Sequence, residues 1–174
     1  MSMNRILLLM LLIFIIEGTI MPWLIPAGYG DRIVPHFILV SVIFAALYTD
    51  RHRALLLGVS FGFLQDIVYF GHLLGVHSFV MGLLGYFIGL LLDRRRATLM
   101  MAVTVVGFAC ILYDSVIFFI YSVFRITSET YAFALLNHIL PSLFLQLVFA
   151  IAIYVPARRM LEAYSRADSD KDDE

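Results

Sequence analysis

Six long apolar runs, nearly free of charge and parted by short charged connections, fill most of this 174-residue chain. They cover residues 6–21, 33–49, 54–70, 73–92, 98–124 and 131–155. A helix needs about 20 predominantly apolar residues to cross a bilayer, because each residue rises only about 1.5 Å and the backbone must bond to itself in lipid. The runs therefore predict an all-α integral membrane protein with six transmembrane helices. With 62% hydrophobic residues against 14% charged and a mean hydropathy of +0.95, composition excludes a water-soluble domain. Only Gly71 and His72 part the third run from the fourth. A tight hairpin marked by Gly71 and Gly75 keeps both runs within crossing length.

Orientation follows from the basic residues, which collect on cytoplasmic loops. If both termini are cytoplasmic, ten of the twelve lie inside: Arg5, Arg51, Arg53, Arg94, Arg95, Arg96, Arg158, Arg159, Arg166 and Lys171. Arg32 and Arg125 alone lie outside. Trp23, Tyr29, Tyr69, Tyr121 and Tyr131 then fall at outer span ends, and Tyr48 and Tyr154 at inner ends, as aromatic belts require. The first run starts like a secretory signal, but Glu17 is foreign to a signal's apolar core and the charge pattern needs this helix, so it is read as retained. Residues 1–155 thus form one six-helix membrane domain. Residues 156–167 mix arginines with Met160, Leu161 and Tyr164, which suits either a short interfacial helix or an extension of the last span. Residues 168–174 read as an acidic disordered tail.

Glu17, Asp66 and Asp114 sit inside these runs. An acid at the centre of a membrane helix costs about 2.5–3.5 kcal/mol on insertion scales, so it is kept where it is paired, hydrated or used. All three fall in the outer half, together with His36, His72, His77, Asn137 and His138. This asymmetry predicts a polar, outward-facing groove; the alternative is that each acid bonds a neighbouring helix and shapes nothing larger. Gly58, Gly62 and Asp66 recur at i, i+4 and i+8, which puts them on one helix face that must meet protein. Gly82, Gly85 and Gly89 give the fourth span a matching face, so those two spans are expected to pack together. The candidate partner-binding or intramembrane polar residues are Asp66, Gly58, Gly62, Glu17, Asp114, His77, His138 and Asn137. Arg51, Arg53, Arg94, Arg95 and Arg96 form candidate cytoplasmic contact loops. No phosphate-binding glycine loop, HExxH, GxSxG or CxxC occurs in the sequence, and Asp114 beside Ser115 has no nucleophile–base spacing. Cys110 is the one cysteine, and the outer histidines come from separate spans, so no metal, cofactor or nucleic-acid site is expected.

The segment PHFILVSVIFAALYTDRHRALLLGVSFGFLQDIVYFGHLLGVHSFVMGLLGYFIGLLLDR, residues 35–94, resembles the bacterial rod-shape-determining MreD family. The resemblance rests on Pro35 opening the second span, on the basic turn at Arg51 and Arg53, and on Gly58, Gly62, Phe63 and Asp66. It continues through Leu74 and Gly75 into the glycines of the fourth span. It covers about a third of the chain; the first and last spans match only in hydropathy. The resemblance implies a non-enzymatic scaffold subunit of the cell-elongation machinery in a bacterial inner membrane. Its implied partners are the bitopic protein MreC, the MreB filament inside, and RodA and PBP2 in the same assembly; a homo-oligomer stays open. That family is similar in architecture to the substrate-binding subunits of energy-coupling-factor transporters. The alternative function is therefore such a subunit, with Glu17, Asp66, Asp114 and the outer histidines lining a pocket for a vitamin or other small molecule. Against it, ILLLMLLIFII in the first span lacks the small residues through which those subunits dock their energising partner.

Overall fold

A computed structural model describes residues 3–24, 34–69, 73–92 and 98–172. All regular structure among them is helical. The order is α1 (Met3–Thr19), a single turn α2 (Met21–Leu24), α3 (Phe37–Tyr48), α4 (Arg51–Val68) and α5 (Val76–Leu92). It continues with α6 (Leu99–Val123), a turn α7 (Tyr131–Ala134), a π-helical turn (Leu135–Ile139) and α8 (Leu140–Asp172).

Helix α3 is the central post. Its sequence, FILVSVIFAALY, is apolar all round, and every residue in it is buried; a helix with no polar face has to be surrounded. It touches α1, α4, α5, α6 and α8. Phe37 stacks on Phe149 of α8 with ring centroids 4.1 Å apart. The predicted second crossing, 33–49, is shorter as a helix than its apolar run. Residues 34–36 are not helical, and 12 residues span roughly 18 Å against a hydrocarbon core of about 30 Å. At its far end Thr49 donates both its N–H, at 2.8 Å, and its hydroxyl, at 2.7 Å, to the Ala45 carbonyl, so its side chain is satisfied locally at the helix end.

Helices α4 and α5 form an antiparallel hairpin with backbone against backbone. A Cβ placed on Gly58 would lie 2.8 Å from the Gly82 Cα, and one on Gly89 would lie 2.9 Å from the Arg51 Cα. The two glycine faces read from the sequence therefore meet each other. Gly75, in the turn before α5, has φ +94, a conformation open to glycine and strained for residues with a Cβ. Arg51 and Arg53 belong to the first turn of α4 and not to a loop. Arg53 Nε lies 3.9 Å from the Asp50 carboxylate. Arg94, Arg95 and Arg96, with Tyr29, Arg32, Gly71 and His72, lie outside the described residues.

The π-helical turn has a local cause. Pro141 lacks an N–H and its ring crowds the carbonyl four residues back, that of Asn137, so the ladder widens just ahead of it. Pro156 does not interrupt α8, which continues through residues 156–167 as one helix. The backbone is helical as far as Asp172, where the sequence predicts a disordered tail from residue 168. By length and composition Leu99–Val123 and Tyr131–Ala163 can cross a membrane, while Phe37–Tyr48 and Val76–Leu92 are apolar but shorter. The outside of the bundle carries exposed Leu8, Phe63, Phe79, Met100, Phe108 and Phe144, far more apolar surface than a soluble monomer shows.

Candidate functional site

The polar groups gather at one end of the bundle, where α1, α4 and α6 finish and α3, α5 and α8 begin. Helix starts expose N–H groups that have no partner in their own helix. Away from water each of these needs an acceptor, and the acids supply it from neighbouring helices.

Asp66, 1% exposed, is carried by the glycine face of α4 against the start of α5. Its Oδ2 accepts from the Gly75 N–H at 2.9 Å and the Ser78 N–H at 3.3 Å. Its Oδ1 accepts from His77 Nδ1 at 2.7 Å. The carboxylate is thus an N-cap delivered in trans, at the end of the helix where a negative charge is favoured.

Glu17, 4% exposed, repeats the device for α3. Its Oε2 accepts from the Ile38 N–H at 3.0 Å and its Oε1 from Gln65 Nε2 at 2.9 Å. The Gln65 carbonyl oxygen is buried with no partner, and this yields a graded prediction. In Glu17→Gln the new amide keeps an acceptor for Ile38, and a flip of Gln65 offers its free oxygen to the new N–H₂, so thermal stability in detergent should fall by less than about 1 kcal/mol. Glu17→Leu leaves both donors unmet and should cost roughly 2–4 kcal/mol. Equal melting of the two variants would refute the capping role.

Asp114 works differently. Its Oδ1 lies 3.4 Å from His36 Nε2, just ahead of α3, while its Oδ2 and His36 Nδ1 are buried without partners. Both residues line a cavity of about 360 Å³, which is also lined by His77, Glu129, His138 and Ser142. The π-helical turn carries His138 to this cavity, and its Nε2 lies 3.6 Å from Glu129 Oε2 at the mouth. Ser142 Oγ accepts from the Val34 N–H at 2.9 Å, tying the lead-in of α3 to α8.

Of the predicted residues, the structure brings Asp114, His77 and His138 to one cavity. Asp66 stands behind His77, and Glu17 is turned to α3 and Gln65. Gly58 and Gly62 form the α4–α5 contact. Asn137 donates to the Phe133 carbonyl at 3.1 Å within its own helix and does not line the cavity. Sequence reasoning passed over Gln65, Glu129 and Ser142, and also Gln146, fully buried in α8 with both amide atoms unpartnered. The signal available for Gln65 and Gln146 was the one used for the acids, a polar residue inside an apolar run. Ser115 Oγ pairs with Tyr131 OH at 2.9 Å. Among the described residues no cluster of three or more metal-ligand side chains occurs. What the site offers chemically is two carboxylates, Asp114 and Glu129, among imidazoles and hydroxyls that can accept or donate.

No curated protein and no solved structure matches the chain. The family of the rod shape-determining protein MreD matches it over residues 2–164. That match takes in α1 through most of α8, the trans-capped helix starts and the glycine hairpin alike. The chain therefore belongs to the MreD family of rod shape-determining proteins, membrane proteins that act in cell shape.

Proposed function

We propose that this protein is a non-enzymatic scaffold subunit of the bacterial cell-elongation complex. It crosses the cytoplasmic membrane six times with both termini inside, and it binds MreC directly. The observation that carries the reading is the family match over residues 2–164. The gathering of three helix ends and three helix starts at one polar end supports an even number of crossings, since each helix reverses the last. Burial of the short α3 among five helices supports its place in a membrane, because backbone away from lipid can stop short of the boundary. The apolar exterior gives lipid, or the single transmembrane helix of a partner, a surface to pack on. Arg51 and Arg53 stand at the opposite end from the acids, where they face anionic lipid or the MreB filament. RodA and PBP2 belong to the same assembly.

The cavity beside Asp114 favours one rival, a substrate-binding subunit of a small-molecule transporter. Affinity capture of the tagged protein from its own membranes distinguishes the two. Recovery of MreC, together with rounding of rod-shaped cells on depletion, is the expected result. Recovery of ATPase subunits in place of MreC, with rods unchanged, would assign the protein to transport.

A further inference from the structure

The cavity beside α3 is unevenly equipped. Asp114 Oδ2 and His36 Nδ1 are buried and unpartnered. With its proton on the nitrogen facing Asp114, His36 presents Nδ1 as an acceptor. His77 pairs through Nδ1 with Asp66 at 2.7 Å, and in the neutral ring its Nε2 is left as an acceptor. Glu129 adds a second carboxylate at the mouth, and among the described residues no lysine or arginine lines the space. The hydroxyls of Tyr121, Thr127 and Ser142 also line the volume of about 360 Å³, and each can accept as well as donate; the space is roomy enough for a small organic group. The fold also bends to form this wall. The π-helical turn Leu135–Ile139 carries His138, and such turns inside helices are frequent at functional sites.

Two carboxylates with no lysine or arginine among the described lining residues, beside hydroxyls and imidazoles that can accept, fit a cationic ligand that has donors only. A primary alkylammonium has three N–H donors and an alkylguanidinium five, and neither has an acceptor. A bare divalent ion fits less well, because the described residues bring together no set of three metal-ligand side chains. We propose that this cavity binds a primary ammonium or guanidinium group, with Asp114 as the principal acceptor, Glu129 at the entrance, and His77 held in place by Asp66. The site does not depend on which assembly the protein serves. The group is either a lysine or arginine side chain of a bound partner or a free small amine.

The test is titration calorimetry on the purified protein in detergent and amine-free buffer, with n-butylammonium, butylguanidinium and tetramethylammonium as probes. The first two are expected to bind. Tetramethylammonium, a cation without N–H donors, is expected not to bind. Asp114→Asn and, separately, Glu129→Gln should weaken butylguanidinium binding, the former roughly 10- to 100-fold as expected for a hydrogen bond to a charged group. Glu129 is 45% exposed at its side chain, so its variant folds even if the Asp114 variant does not. Absence of binding by either donor probe, equal binding by tetramethylammonium, or unchanged affinity in both variants overturns the proposal. Repeating the titration on the complex captured with its native partner identifies the source. Loss of butylguanidinium binding there means that a partner side chain fills the cavity, and retained binding means that the natural ligand is a free amine.

Discussion

Gly62→Leu is expected to abolish the folded protein. A Cβ at this position lies 2.6 Å from the Ser78 Cα and 2.7 Å from the His77 carbonyl oxygen. Both are backbone atoms of the facing helix, so no side chain can turn aside to make room. Extra methylenes in a packed core cost about 1–3 kcal/mol even where neighbours adjust. Here α5 must move away bodily, and that motion also pulls its N-terminus off Asp66. Overpacking and loss of the cap therefore act together, and the sum approaches the whole stability of a typical domain, about 5–15 kcal/mol. Gly62→Ala sets the same Cβ against the same backbone atoms without the further bulk, and should lose about 3 kcal/mol or more, beyond the range for sites where neighbours adjust, yet less than the leucine variant. Gly107→Ala is the control, because its nearest neighbour is a Leu147 methyl at 3.4 Å. Size-exclusion profiles of fluorescently tagged variants in mild detergent read all three. A monodisperse, wild-type melting profile for Gly62→Leu would refute the contact between α4 and α5.

Asp66→Leu is expected to cost roughly 3–9 kcal/mol, from three donors left unmet at about 1–3 kcal/mol each. The Gly75 and Ser78 N–H groups and His77 Nδ1 all converge on this carboxylate, which is 1% exposed; the His77 side chain, 20% exposed, loses least. Asp66→Asn keeps one acceptor oxygen and should fall between the leucine variant and the wild type. Melting of the purified variants without any partner is the measurement that decides. If Asp66→Leu melts like the wild type yet fails to capture MreC, the residue is a partner contact and not a cap. If it melts early alone, any loss of the complex follows from the fold.

The glycine face of α4 could be read from the sequence because its information is local. Residues at i, i+4 and i+8 share a helix face whatever surrounds them, and a carboxylate on that face has to meet protein. That the acids gather toward one end of the helices was equally legible, since position along a helix is only a count of residues. Their partners were not. Glu17 meets Ile38 and Gln65, 21 and 48 residues away, and Ser142 meets Val34 across 108. No periodicity within one helix predicts which neighbour comes alongside. The division of labour among the acids was hidden for the same reason, with two of them capping buried helix starts and Asp114 left facing a cavity.

The sequence by itself determined that the chain is helical and made for a membrane, because hydropathy and helical periodicity are properties of short segments. It also determined that α4 and α5 present small-residue faces. Only the tertiary structure decided that α3 is a short, wholly surrounded post, that Arg51 and Arg53 start a helix, and that α8 runs on through Pro156. It also decided which buried N–H each carboxylate serves. Those outcomes depend on how several helices share one interior, where every backbone donor removed from water must find an acceptor on whichever neighbour the packing supplies.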